Sequence, residues 1–153
     1  MTVITMDRTD PDFPLLLTGA RLYLLGRSDL YQMNPGKLAA QGAHAATQFV
    51  FDVLDRGDED TVRQMGDWRQ QGGGGFGTKI TLSLTQDEIK ETVNYLNTEF
   101  GLPTGLVVDP TYPFTNYFGE FFTAEELTFG YVFAPTSTTA AALEYLKQFP
   151  LHP

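Results

Sequence analysis

Residues 78–101 read TKITLSLTQDEIKETVNYLNTEFG, a strand, a junction and a helix in succession. Ile80, Leu82 and Leu84 alternate with Thr81 and Ser83, the two-residue period of a half-buried strand. Thr85 and Glu88 stand at capping-box spacing, where hydroxyl and carboxylate each satisfy an amide that the first helical turn leaves free. That predicts a helix from Gln86 to Phe100. Gly101 ends it, because glycine takes the left-handed conformation at no steric cost. A strand feeding directly into a capped helix is the building unit of an α/β fold.

The flanking sequence extends the same pattern. Ala20 to Leu25 is a short apolar strand, and Gly26 to Leu30 begins a loop. Asn34-Pro35 opens a helix to about Leu54, since Asn accepts from first-turn amides and Pro at the first helical position loses no hydrogen bond. Leu38, Ala39, Ala43, Ala46, Phe49, Val50 and Val53 recur along it at three- and four-residue spacings. Val62, Met65 and Trp68 mark a short second helix within residues 56–71, next to an acidic cluster of Asp52, Asp55, Asp58, Glu59 and Asp60. Gly72 to Gly75 with Phe76-Gly77 reads as a flexible connector. A phosphate loop is the alternative, but it needs a strand before and a helix after, and here a strand follows. Downstream, Thr104 to Asp109 is a buried strand closed by Pro110 and Pro113, and residues 114–126 form a long aromatic, acidic connection. Leu127 to Ala134 is the last strand and Thr138 to Phe149 the last helix. The expected architecture is a mixed sheet covered by helices, with residues 1–19 an irregular N-terminal arm whose Phe13 and Leu15 to Leu17 dock on a single domain over 20–153.

Composition bounds the chemistry. In 153 residues, 42% hydrophobic and 13% aromatic content suffices for one core. With no cysteine, disulfides, thiolate zinc sites, Cys-ligated clusters and cysteine nucleophiles are excluded, and two histidines remain for imidazole chemistry. Ten Lys and Arg against nineteen Asp and Glu give a formal charge of −9, which disfavours broad attraction to nucleic acid or anionic membrane. Any nucleic-acid contact must be local. Apolar runs are short and no basic-then-apolar leader precedes them, so a soluble, cytoplasmic protein without a membrane span is expected.

Lys37, Gln41 and His44 fall at i, i+4 and i+7, placing an ammonium, an amide and an imidazole on one stripe of an otherwise apolar helix. Lys37 sits in the first turn, against the positive end of the macrodipole, which makes sense if it and the first-turn amides jointly receive an anion. The plainer alternative is a solvent face with a rim histidine. Metal binding is a poor fit, since one His with Gln and Lys is no zinc ligand set and His152 lies far along the chain; no metal site is expected. No serine lies in a nucleophile-elbow context. Asp109 ends an apolar strand, where mixed sheets place functional side chains, although Asp before Pro is equally an ordinary turn opener.

These residues resemble a known family. Arg27-Ser28-Asp29-Leu30, Met33 and the run from Gly36-Lys37-Leu38-Ala39-Ala40-Gln41 to His44-Ala45-Ala46 look like the signature of the type 2 peptidyl-tRNA hydrolases, the archaeal and eukaryotic kind. Trp68, Lys79, Gly101-Leu102-Pro103-Thr104 and Asp109 follow in the family's order, so the resemblance covers roughly Ala20 to Pro135. It implies a four-stranded mixed sheet between helices and cofactor-free hydrolysis of the ester joining a peptide to its tRNA. It also carries Lys37, Gln41, His44 and Asp109 into the site. Where the family continues its Asp with Ala-Gly-Arg-Thr, this chain has Pro110-Thr111-Tyr112-Pro113. Thr111 or Thr115 is then the candidate for the missing threonine. Under this reading Asp109 orients or deprotonates water, Lys37 stabilises anionic charge, Gln41 positions water or carbonyl, and His44 supports them. Arg27, Lys37, Arg69 and Lys79 form a basic patch for tRNA, and Trp68, Tyr112 and Phe114 stack on bases. Such a patch predicts steep salt dependence of binding. A homodimer is a further partner candidate. The rivals are a non-catalytic RNA- or protein-binding module on the same fold and a hydrolase of another small ester or amide.

Overall fold

The computed structural model describes residues 19–71 and 74–153; the expected N-terminal arm, Gly19 apart, and Gly72 and Gly73 of the connector lie outside the described residues. The elements are β1 (Arg21–Arg27), α1 (Pro35–Arg56), α2 (Glu59–Gln70), β2 (Lys79–Leu84), α3 (Gln86–Phe100), β3 (Thr104–Thr115), β4 (Phe121–Ala134) and α4 (Ala140–Leu146). The strands form one mixed sheet in the order β2-β1-β4-β3, with β1 parallel to β2 and antiparallel to β4, and β3 antiparallel to β4. The expected α/β class and four-stranded mixed sheet are both present.

Helix starts follow the local chemistry. Asn34 Oδ1 accepts from the Lys37 amide at 2.8 Å and Pro35 takes the first helical position of α1. The capping box of α3 is closed in both directions, Glu88 N to Thr85 Oγ1 at 3.3 Å and Thr85 N to Glu88 Oε2 at 3.1 Å, and Gly101 ends the helix at φ 65°. Asp58 caps α2 through the Thr61 amide at 2.7 Å, with Glu59 and Asp60 in the first turn. Much of the acidic cluster thus complements a helix dipole.

Both faces of the sheet are covered. Leu22, Leu24, Phe129, Tyr131 and Phe133 meet Phe49 and Val53 of α1 and Trp68 of α2 on one side, with the Phe49 and Phe133 rings 4.8 Å apart. Leu25, Leu82, Leu84 and Val132 meet Ile89 and Leu96 of α3 and Leu146 of α4 on the other. Residues 127–134 of β4 are buried throughout, apolar but for Thr128, as a two-sided strand requires. A Cβ at Gly105 would run into the Tyr131 ring, so only glycine allows this approach of β3 to β4.

Several boundaries differ from the sequence expectation. β1 continues to Arg27, because β2 supplies parallel partners for Gly26 and Arg27 in Ser83 and Leu84. Residues 114–126 are not a loose connection: β3 runs on to Thr115 and β4 begins at Phe121, pairing Phe114 with Phe122 and Tyr112 with Ala124. Pro110 and Pro113 do not close β3, because it is an edge strand whose outer side needs no ladder donor, and a register shift between Asp109 and Tyr112 absorbs the distortion. Finally, α4 covers only Ala140–Leu146, and the chain beyond it pairs along β2 through Ser83 N to Pro150 O at 2.9 Å and His152 N to Thr81 O at 3.0 Å.

Candidate active site

The register shift at Asp109 turns its carboxylate toward α1. Gln41, one of four buried residues of that helix, donates from Nε2 to Asp109 Oδ2 at 2.6 Å and accepts at Oε1 from Thr128 Oγ1 at 2.7 Å. The two partners fix the amide's orientation, since a flipped Gln41 would set its oxygen against a carboxylate. Asp109 Oδ1 accepts from the Thr111 amide at 2.8 Å and from its hydroxyl at 3.3 Å. Burial pushes the Asp109 carboxyl pKa up, but the Thr111 amide, Gln41, the Thr111 hydroxyl and the charge of His44 together outweigh it and hold the pKa below its ordinary value.

Lys37 lies one turn before Gln41. Its Nζ donates to Pro113 O at 2.6 Å and sits 5.0 Å from the centroid of the Tyr112 ring. Beside it opens a hollow of about 570 Å³ lined by Leu30, Gln32, Met33, Asn34, Thr115 and Phe121. The His44 ring, exposed and nearly one turn past Gln41, makes no hydrogen bond among the described residues, yet its charge acts on Asp109. The stripe on α1 is therefore graded: Gln41 buried, Lys37 half-buried and His44 exposed.

The residues expected to hold tRNA are placed differently. Arg27 is buried: its Nε meets Asp29 Oδ1 at 2.6 Å, and its Nη1 donates to Leu127 O at 2.8 Å and lies 3.6 Å from Glu126. It joins β1 to β4, and Asp29 also receives the Gln86 amide at the start of α3. Trp68 is 3% exposed with its Nε1 on Thr78 O at 2.8 Å, and Tyr112 is fully buried with its hydroxyl 3.7 Å from Met33 Sδ. Phe114 is buried against Phe122. These three rings are interior, which corrects the expectation that they stack on bases. Lys79 Nζ lies 5.0 Å from the Trp68 ring and bonds Phe76 O at 2.7 Å, and burial pushes its pKa down. Lys79 and Arg69 share a groove along the C-terminal half of α1, whereas Lys37 stands at its N-terminal end. The four cations do not form one patch.

Sequence reasoning missed Thr128 and Gln32. Thr128 is a buried hydroxyl in an otherwise apolar stretch, and that isolation was the available signal. Gln32 lies at φ 63° and both donates to Thr115 O at 2.9 Å and accepts from Thr115 N at 2.8 Å; nothing in its neighbours announces it.

Fold and site define an α/β domain with a carboxylate, amide and threonine cluster where an edge strand meets the first long helix. Residues 20–115, more than half of the chain, match the family model of peptidyl-tRNA hydrolase PTH2, and the chain belongs to that family. No curated protein matches it. Among the described residues no helix is long and apolar enough to cross a membrane.

Proposed function

We propose that this protein hydrolyses the ester of peptidyl-tRNA, and the observation that carries the reading is the Gln41 to Asp109 hydrogen bond at 2.6 Å. It joins the helix motif to the register shift within β3, inside the family-matched span. In the reaction a water oxygen attacks the ester carbonyl carbon, the bond from that carbon to the ribose oxygen breaks, and the proton lost by water ends on the ribose hydroxyl. A carboxylate held below its ordinary pKa is a weak base at neutral pH, so Asp109 serves by orienting, through Gln41 and the adjacent His44, rather than by keeping a proton. Gln41 Nε2 has a second N–H for water or carbonyl. Lys37 spends one N–H on Pro113 and has two more for the charge that develops on oxygen. Thr128 fixes Gln41 from behind.

The test is release of a labelled N-acetyl-aminoacyl group from tRNA by the purified protein. Release well above the spontaneous rate, reduced about 100- to 1000-fold by Asp109→Asn, supports the reading. Release indistinguishable from the protein-free control overturns it in favour of a binding module.

A further inference from the structure

β3 and β4 run past the site as a two-stranded arm whose tip is a turn at residues 116–120. Asn116 builds that turn: Oδ1 accepts from the Phe118 and Glu120 amides at 2.9 Å each, and Nδ2 donates to Glu120 Oε2 at 2.7 Å. Gly119, at φ 81°, completes it. Outward from this braced frame stand Tyr117 and Phe118, 99% and 85% exposed, with Phe121 at 73% behind them. Scattered exposed apolar residues are ordinary, but clustered aromatics on a pre-ordered turn mark an interaction surface, because little ordering cost remains to be met on binding.

The charge of the arm selects the partner. From residue 104 to 134 the chain carries Asp109, Glu120, Glu125 and Glu126 and no Lys, Arg or His. Aromatic faces beside carboxylates attract guanidinium and ammonium groups and disfavour phosphates, and Lys37, the cation in the hollow that Phe121 lines, already bonds Pro113 O. Strand addition along the arm's β3 edge is disfavoured. Pro110 and Pro113 have no N–H, the Thr111 and Thr115 amides are taken by Asp109 and Gln32, and the Pro113 and Thr115 carbonyls by Lys37 and Gln32. Along that edge, recognition falls to the side chains at the tip. A second copy docking arm to arm would set the same glutamates against one another.

We propose that the arm tip, through Tyr117, Phe118 and Phe121 with Glu120 and Glu125, docks a basic segment of another protein, one presenting Arg or Lys beside an apolar residue. The docking is independent of the hydrolase reading. The full chain is titrated, by fluorescence anisotropy, against a labelled peptide of alternating Arg and Leu, with an alternating Glu and Leu peptide and a single-stranded oligonucleotide as comparisons. The Arg–Leu peptide binds, and Tyr117→Ser with Phe118→Ser weakens it about ten-fold without changing net charge. Both side chains are exposed, so the melting curve of the double variant stays that of the parent. Glu125→Gln weakens binding less and lowers its salt dependence. Equal affinity of parent and double variant overturns the proposal, leaving only bulk attraction to an acidic protein. So does oligonucleotide binding that depends on the two rings, which makes nucleic acid the occupant. A dimer mass in sedimentation that the double variant abolishes makes a second copy the occupant and overturns it likewise.

Discussion

Asp109 accepts hydrogen bonds from Gln41 and from both the amide and hydroxyl of Thr111, all of which favour its ionised form. With the folded pKa below the unfolded value, its contribution to stability is fully present above the unfolded pKa and is lost as pH falls through the folded one. The stability gap between the parent and Asp109→Asn, measured by urea unfolding, is expected to stay constant from neutrality down to the ordinary carboxylate value of 3.8 and to close below it. Lys37 tests the site from the other side. A first-turn lysine opposes the helix dipole by about 0.3–1 kcal/mol, so sequence position alone predicts that Lys37→Ala is neutral or stabilising. The bond to Pro113 O and the Tyr112 ring reverse that sign. A charge-assisted bond worth about 1.5–3 kcal/mol, trimmed by partial exposure and by the dipole, makes the expected loss about 1 kcal/mol. Turnover should fall together with it by about two to three powers of ten, with Lys37→Arg rescuing only in part. A variant that loses the stability and keeps full turnover would make Lys37 a strap for β3 alone.

Between elements, Gln32 shares with Lys37 the attachment of the arm to the body. A non-glycine residue at φ 63° costs about 1 kcal/mol, and the two bonds to Thr115 offset it. Gln32→Gly removes the strain and both bonds together, so global stability is expected to move by less than about 1 kcal/mol. The Thr115 amide, which donates to Gln32 Oε1, should exchange with solvent faster in hydrogen-exchange measurements, while β1 amides keep their protection. Uniform protection across the arm in Gln32→Gly would show that strand pairing alone holds it.

For the whole molecule, the inward engagement of Arg27 and the separation of Lys37 from Arg69 and Lys79 leave few phosphate contacts on any one face. Binding of tRNA should therefore fall with salt at a log–log slope of about −2, shallower than a four-cation patch would give, as read from filter binding across a salt series. Hydrolysis should survive chelation, because no group of three His, Asp or Glu side chains gathers among the described residues. Loss in EDTA that zinc restores, with tRNA folding held constant by magnesium, would require a different mechanism.

Local chemistry wrote most of the fold into the sequence. The Thr85 and Glu88 capping box, Asn34-Pro35, Gly101 and the strand alternation each act within a few residues, and their predicted elements stand where expected. The same holds for the stripe of Lys37, Gln41 and His44, whose common helix face follows from helical periodicity alone. What each of the three does on that face was decided by tertiary contacts. Gln41 became buried because Asp109 and Thr128 arrived from two strands, from 68 and 87 positions away in sequence. Trp68 and Tyr112 read as available rings, but aromatic residues are chosen for a core and for a surface alike, and only packing separates the two. The prolines of β3 misled for a related reason: a proline stops a strand only where its amide is needed, and whether a strand lies at the edge of a sheet is settled by which strands pair, a property of the assembled sheet that no local pattern encodes.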